Sequence, residues 1–165
     1  PHNRPVTKTA EGWNWCRIAE SGDTLHITTY REGNEEGLQV RFDRETGSRL
    51  KEYYKKNNRY DGLYREYDPS TGELVYEATY EFGRLNGKAK SLVRDNRFDY
   101  WETSTYVNGR QTGPFESRYV KNDKVRETGT YRNGHRTDGG NAMTSTGSWK
   151  WNGRIEAAGV HSGQS

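Results

Sequence analysis

Residue types that could carry catalysis or hold a metal ion are present in this chain, but their spacing suits neither role. The four histidines are scattered and form no His-x-x-x-His or His-Glu-x-x-His pattern, the spacing that brings two imidazoles to one zinc ion. They are His2, His26, His135 and His161. A single cysteine, Cys16, excludes a cysteine-based metal site and an internal disulfide. We therefore expect no metal ion, no cofactor and no enzymatic activity.

Two glycine-containing segments resemble ligand loops only superficially. Residues 83–88 have three residues between the glycines where a phosphate loop needs four, and Ala89 stands where Ser or Thr must bind magnesium. Residues 43–47 lack the later bidentate acid that a calcium loop requires. Both segments are interpreted as turns.

The composition predicts a thin hydrophobic core. Leu, Ile, Val and Phe together make up 22 of the 165 residues, whereas Trp, Tyr and Phe number 5, 12 and 4 and the net charge is only +3. Aromatic rings supply apolar area that disordered chains lack. The sequence therefore indicates a folded chain with a tyrosine-rich core, and it argues against a large single-core α/β enzyme. No apolar run approaches the roughly 18 residues of a membrane-spanning helix.

A tyrosine followed by a glycine turn recurs along the chain at steps of 24, 26, 26 and 25 residues. The repeated tyrosines are Tyr30, Tyr54, Tyr80, Tyr106 and Tyr131. A second glycine follows each turn, and the copy at Tyr54 has Asn57-Asn58 in place of the first glycine. The repeat predicts one supersecondary unit of about 25 residues that is copied five times.

Each copy reads as two extended segments. Apolar and aromatic residues alternate with polar ones, as in Leu74-Tyr76-Ala78-Tyr80, and this period of two is typical of strands. Asn-Gly pairs begin at Asn86, Asn108, Asn133 and Asn152, and they favour type I′ hairpin turns. We predict an all-β fold, an elongated antiparallel β meander of stacked hairpin repeats. Its tyrosines at positions 80, 106 and 131 should be largely buried.

The predicted organisation is a single repeat domain over residues 1–165. Residues 11–29 form an N-terminal cap-like copy, residues 30–140 hold the five repeats, and residues 148–158 form a partial C-terminal hairpin. Glutamates recur two to four residues before each next tyrosine, at Glu52, Glu77, Glu102 and Glu127. We expect them to stack as a ladder that pairs with arginines of neighbouring strands.

The Tyr-x-x-Gly-x-x-x-Gly pattern, with its aromatic strand and Asp/Asn-Gly turn, resembles MORN repeats (membrane occupation and recognition nexus). The nearest form is the bacterial one found in antitoxin components of toxin–antitoxin systems. The resemblance covers about residues 30–140 and, more loosely, 11–29 and 148–158. It implies an all-β scaffold that binds something, and it leaves the partner open because the repeat serves many purposes.

The excess of positive charge lies in residues 106–136, which hold seven basic and three acidic side chains. The predicted partner-binding residues in this stretch are Arg110, Arg118, Tyr119, Lys121, Lys124, Arg126 and Arg132. Arg118 and Arg126 should lie on an exposed sheet surface without a carboxylate partner. Such a mixture of Arg and Tyr suits a protein interface, while stacking of single-stranded nucleic acid is the less favoured alternative. A third interpretation is that these tyrosines face the core and the charges are merely solvated.

The sequence therefore favours a non-catalytic binding protein, of the antitoxin or immunity type, that occludes a partner toxin through an aromatic and basic sheet face. The alternative is an adaptor at the envelope or membrane surface that binds acidic lipid head groups or glycan. An enzyme with an unrecognised site is a third class. Bacterial cytoplasm and periplasm both stay open, as does the oligomeric state.

Overall fold

The fold is all-β, as the alternation of residues predicts. The computed structural model describes residues 2–9, 12–21, 24–138, 142–143, 149–151 and 154–156, with side chains described for 24–138. This part of the chain forms strands joined by turns and contains no helix, and neighbouring strands pair antiparallel in chain order. The chain divides into two compact units, Pro1–Ala89 and Lys90–Ser165.

The strands of the first unit form a meander in the order β1-β2-β3-β5-β6-β7-β8, with the short β4 paired to β3. Their bounds are β1 His2–Thr9, β2 Gly12–Ser21, β3 Thr24–Arg31, β4 Asn34–Glu35, β5 Gly37–Asp43, β6 Arg49–Lys56, β7 Arg59–Tyr67 and β8 Leu74–Glu81. The next strand, β9 Arg84–Arg94, begins in this unit and ends in the second.

The second unit follows the same plan, in the order β10-β11-β12-β14-β15-β16 with β13 paired to β12. Its strands are β10 Asp99–Val107, β11 Arg110–Tyr119, β12 Val125–Arg132, β13 His135–Arg136, β14 Ala142–Met143, β15 Trp149–Trp151 and β16 Arg154–Glu156.

Five hairpin turns carry the repeat. In each, both central residues have positive φ, between 49° and 85°, which defines the type I′ turn whose twist matches that of the flanking strands. The turns are Glu32-Gly33, Asn57-Asn58, Phe82-Gly83, Asn108-Gly109 and Asn133-Gly134, at steps of 25, 25, 26 and 25 residues. The hairpin-repeat architecture is therefore confirmed, and its period is set by these turns.

Two details of the predicted repeat are wrong. Asn86-Gly87 lies inside β9 and forms no turn, because the turn at Phe82-Gly83 has already fixed the start of that strand. Counting two residues back from each turn gives a tyrosine in four copies but Lys55 in the second copy, so Tyr54 is displaced by one position. Since side chains alternate along a strand, that displacement moves Tyr54 to the opposite face, where 45% of it is exposed.

In the copies at Tyr54 and Tyr106 the second glycine, Gly62 or Gly113, lies at a bulge. Across β6 and β7, Tyr53 pairs with Tyr64 and Lys55 with Tyr60, so three residues around Gly62 stand opposite Tyr54 alone. Gly62 has φ +111°, and a Cβ at this position would lie 3.2 Å from the Cβ of Tyr54. A positive φ and close cross-strand contact both demand glycine here.

The hydrophobic core is thin, as the composition predicts. The buried apolar side chains among residues 24–138 are Val40, Tyr53, Ala78, Ala89 and Phe115. The repeat tyrosines at positions 80, 106 and 131 are half-buried: none is fully buried and none is exposed. Tyr80 and Tyr131 pack beside other rings of the same sheet face. Part of each residue stays exposed to solvent.

Candidate binding surface

The predicted basic residues do not form one patch. Arg110 and Arg132 lie beside the type I′ turns, whereas Lys121 and Lys124 lie in the turn at the other end of β11 and β12. Arg118, Tyr119 and Arg126 lie at that second end too. Ten residues of β11 separate the two ends, which is about 30 Å at the usual rise per residue. The set is therefore two groups.

Arg118 has local carboxylate partners, contrary to the prediction. Its Nε lies 2.6 Å from Glu116 Oε1, and its Nη1 donates to the backbone oxygen of Asp123 at 2.9 Å. The hydrogen bond from Arg118 lowers the pKa of Glu116 below its ordinary value. Glu116 is two residues away on the same strand, so both side chains share a face.

Arg126 also has local partners, a carboxylate and an aromatic ring. Its Nη1 lies 3.4 Å from Glu127 Oε2, and its guanidinium carbon lies 4.2 Å from the centre of the Tyr100 ring. A bulge displaces the strand register at this point and lets Arg126 approach Tyr100. Tyr119 is half-buried and its ring contacts Phe98 edge-on.

The remaining basic side chains of the set are exposed. Within residues 24–138, no carboxylate forms an ion pair with Arg110, Lys121, Lys124 or Arg132. Lys121 and Lys124 stand close together in one turn, so their positive charges add at that end of the unit. They could steer an acidic partner.

A cluster of tyrosines in the first unit, which the sequence reasoning missed, is the most distinctive surface. We call it the tyrosine cluster: Tyr53, Tyr60, Tyr64, Tyr76 and Tyr80. The ring of Tyr64 is central and contacts the other four, with centroids 5.7 to 5.9 Å away. The residue directly opposite Tyr64 on β8 is Ala78, whose small side chain leaves room for the rings on either side of it.

Charged groups hold one side of the tyrosine cluster in place. The Tyr64 hydroxyl donates to Glu66 Oε1, and Lys51 Nζ lies 2.6 Å from the same oxygen. Burial and the Glu66 hydrogen bond both raise the pKa of Tyr64, so the phenol stays protonated. Burial alone would raise the pKa of Glu66, but the hydrogen bonds from Lys51 and Tyr64 outweigh it and lower that pKa.

Two further cations lie over the cluster. Lys55 pairs with Glu35 and its Nζ lies 5.5 Å from the centre of the Tyr60 ring. The Arg41 guanidinium lies 6.0 Å from the Tyr53 ring centre. No carboxylate in residues 24–138 pairs with Arg41, and its Nε is buried without a hydrogen-bond partner. Arg41 is therefore an uncompensated cation at the β5 side of the tyrosine cluster.

The opposite face of this unit carries an ion-pair ladder, as the glutamate spacing predicts. Glu52 accepts hydrogen bonds from Arg49, Arg65 and Tyr67, and Arg65 also donates to Glu77 at 2.7 Å. These bonds keep Glu52 ionised: burial would raise its pKa, but the donors outweigh burial and lower it. Arg65 thus links the glutamates of two successive repeats.

The four glutamates do not occupy the same position of the repeat, which corrects the prediction. Glu102 and Glu127 pair in register with Ser117, on the face that also carries Tyr106 and Tyr131. They lie four residues before the repeat tyrosine, whereas Glu52 and Glu77 lie three before its equivalent, and an odd shift changes the face. Glu127 pairs with Arg136 at 2.6 Å. A structural role holds for Glu52, Glu77 and Glu127.

One sequence signal could have revealed the tyrosine cluster. Seven of the twelve tyrosines lie between positions 53 and 80, a density that the repeat alone does not require.

Among the side chains that the structure describes, no group of three or more His, Cys, Asp or Glu could hold a metal ion. Within the same part of the chain we find no helix with the length and apolar character needed to cross a membrane.

Comparisons of the chain with protein-family models, with curated proteins and with solved structures found no match.

Proposed function

We propose that this chain is a non-catalytic binding protein that docks a protein partner on the tyrosine cluster. The observation that carries the proposal is the array of half-exposed rings centred on Tyr64, held in fixed contact on one open sheet face. Tyrosine is among the residues that dominate binding energy at protein interfaces, because it offers a large contact area and loses little conformational entropy.

The rings are arranged before any partner arrives. Tyr53 is buried beside Tyr60 and Tyr64, and the hydrogen bond from Tyr64 to Glu66, which also pairs with Lys51, restricts the rotation of the central ring. A surface that is already ordered loses less entropy on association, so more of the contact energy appears as affinity. This order supports a docking role for the tyrosine cluster.

Lys121 and Lys124 fit the same proposal in a different capacity. Exposed, unpaired charges raise association rates with oppositely charged partners, and that effect weakens as salt screens it. We assign these two lysines to steering of an acidic partner and the tyrosine cluster to retention of the complex. Arg118 and Arg126 are removed from the docking set because their charges serve local pairs.

The specific form of the proposal is the antitoxin or immunity role that the MORN resemblance implies. In that role the protein neutralises a toxin by covering its active surface. The experiment is co-expression in a bacterial host with the product of the adjacent gene. We expect that product to stop growth alone and the present protein to restore it.

Matched variants locate the surface. Tyr60→Ser removes a half-exposed ring of the cluster and should abolish rescue, whereas Tyr54→Ser removes an exposed ring from the opposite face and should leave rescue intact. Equal rescue by both variants, with both proteins folded, would show that the tyrosine cluster is not the docking surface.

A membrane-surface adaptor is the second candidate, and the exposed pair Lys121 and Lys124 favours it. Anionic head groups attract exposed lysines at about 1 kcal/mol each. Sedimentation with phosphatidylserine vesicles at low and moderate salt tests it. Salt-sensitive binding that disappears in a Lys121→Glu, Lys124→Glu variant would support the adaptor; no sedimentation at low salt would exclude it.

A further inference from the structure

The turn between β8 and β9 carries a side chain that the fold itself does not need. Phe82 is the first central residue of this turn and has φ +49°, in the left-handed region that bulky residues avoid. Three of the other four type I′ turns have asparagine at the same position, and asparagine tolerates that conformation. Phe82 is also the most exposed large apolar residue within residues 24–138, at 68%. Its ring therefore costs backbone strain and gains little burial.

This combination of strain and exposure indicates a role outside the fold. One exposed apolar residue needs no explanation by itself. At Phe82, however, the exposure coincides with positive φ, and other copies of the repeat have a less strained residue there. Strained backbone conformations concentrate at functional sites, and aromatic rings are frequent anchors of protein interfaces.

The Phe82 turn is adjacent to the tyrosine cluster. Gly83, its second central residue, donates its backbone N–H to the backbone oxygen of Tyr60 at 2.8 Å. Tyr80 precedes the turn by two residues, and its ring centre lies 5.3 Å from that of Tyr60. A partner that covers the rings of Tyr60 and Tyr80 is therefore within reach of Phe82. The exposed ring extends the proposed docking surface beyond the strand ends.

Two unpaired cations lie beside this turn. Arg84 follows it directly in the chain. Arg59 is its neighbour in space, since a Cβ on Gly83 would lie 3.8 Å from the Arg59 Cβ. Both arginines are exposed, and neither forms an ion pair with a carboxylate of residues 24–138. The aromatic ring is therefore accompanied by positive charge that the fold leaves uncompensated.

Nearby carboxylates decide between a protein and a membrane as the target of the ring. Asp61 accepts a hydrogen bond from the backbone N–H of Phe82, and Glu81 accepts one from Asn86. Insertion of the ring into an anionic bilayer would bring these two carboxylates towards head groups of the same charge. A protein partner can instead place its own carboxylates opposite the arginines alone, so the mixed charges favour a protein.

From these observations we infer that Phe82 inserts into an apolar pocket of the partner protein, with carboxylates of that partner against Arg59 and Arg84. The inference deepens the proposed function and rests on it, because it names what the partner of the tyrosine cluster offers. Burial in such a pocket gives the ring the apolar contact that the fold does not provide. Carboxylates at the rim of the pocket add the charge complementarity that selects one partner from others.

The test uses the full chain, with para-fluorophenylalanine in place of its four phenylalanines, and the purified product of the adjacent gene as the probe. The fluorine NMR signal of Phe82 is identified by its absence in Phe82→Asn, and that of the buried Phe115 by its absence in Phe115→Leu. We expect the gene product to shift the Phe82 signal and to leave the position of the Phe115 signal unchanged. Titration calorimetry measures the affinity of the same pair.

Variants of Phe82 separate its ring from its effect on folding. Phe82→Asn should weaken binding of the gene product by about tenfold or more, as loss of an interface anchor does. Because asparagine relieves the strained turn, this weaker binding is not a result of misfolding. Phe82→Leu keeps an apolar side chain and should bind more tightly than Phe82→Asn. The control Val107→Asn removes an exposed valine beside another turn and should bind as the unmodified protein does.

The arginines are tested by salt. Replacing both, Arg59→Gln with Arg84→Gln, should weaken binding at low salt, and the difference from the unmodified protein should shrink at higher salt because ions screen the attraction. A salt dependence equal to that of the unmodified protein would reject the carboxylates assigned to the rim.

Other outcomes separate this inference from the proposed function. Equal affinity of Phe82→Asn and the unmodified protein would reject the inference, and loss of growth rescue in Tyr60→Ser would then retain docking on the tyrosine cluster alone. Loss of rescue in Phe82→Asn but not in Tyr60→Ser would retain the inference and move the docking surface from the cluster to the turn. A Phe82 signal shifted by phosphatidylserine vesicles and not by the gene product would assign the ring to a membrane. Absence of any binding by the gene product would reject both proposals.

Discussion

Tyr64 stacks on Tyr53 across the β6–β7 pair, with ring centres 5.7 Å apart and ring planes only 21° from parallel. The other ring contacts of the tyrosine cluster are edge-on or tilted. Tyr53 is 7% exposed, whereas Tyr64 directly across from it is half-buried. The same pair therefore joins the thin core to the proposed docking surface.

Replacement of the supporting ring should destabilise the fold. Tyr53→Ala removes a buried aromatic side chain, and we expect a loss of about 3–5 kcal/mol in the free energy of unfolding, measured by urea denaturation. Tyr54→Ala is the matched control and should change that free energy by less than about 0.5 kcal/mol, because Tyr54 is already 45% exposed on the face opposite the tyrosine cluster. Similar losses for the two variants would contradict the face assignment.

The turn residue Phe82 should be a stabilising substitution site. It has φ +49° and is 68% exposed, so its ring gains little from burial while its backbone is in a conformation that bulky residues avoid. Asparagine adopts this conformation readily, and Phe82→Asn should raise the free energy of unfolding by about 1 kcal/mol. Val107→Asn, at an exposed strand position without positive φ, should give no such gain.

Acid should weaken the first unit through Glu52. Its pKa is lower in the folded state than its ordinary 4.5, so the folded state holds fewer protons and its stabilising contribution is complete above about pH 5. That contribution is lost as the pH falls through the folded pKa. Unfolding free energies measured between pH 7 and about pH 3 should fall less steeply in Glu52→Gln, while Glu45→Gln in an exposed turn should match the wild type. If the unfolding free energies of all three proteins fell equally with pH, the ion-pair ladder of Glu52 would not contribute to the loss of stability in acid.

Charge reversal should separate the paired from the unpaired cations of the second unit. Arg118→Glu places a third acid beside Glu116 and Asp123 and should lower the melting temperature. Lys121→Glu with Lys124→Glu should leave the melting temperature unchanged but slow association with an acidic partner, and the wild-type advantage should shrink at higher salt. A melting temperature that falls equally in both proteins would indicate that the two lysines also pair within the fold.

The sequence predicted the strands well because hairpin repeats are local: alternation sets the strands, and glycine or asparagine sets the turns. The predicted turn at Asn86-Gly87 and the predicted repeat position of Tyr54 were wrong. At both places a neighbouring turn sets the strand register, and neither the dipeptide nor the tyrosine itself reveals that turn. The prediction of the docking residues was wrong for another reason. Counting charges along the chain does not reveal which end of a strand a side chain occupies, or that Glu116 already neutralises Arg118.

Pairing between strands that follow one another in sequence affects how the protein can be made. Each strand of a unit finds its partner within a hairpin or one turn further along, so little chain entropy is lost before a contact forms. A strand leaving the ribosome can therefore pair with the strand synthesised just before it. The tyrosine cluster, contained in β6, β7 and β8, can be complete while the C-terminal third of the chain is still being translated.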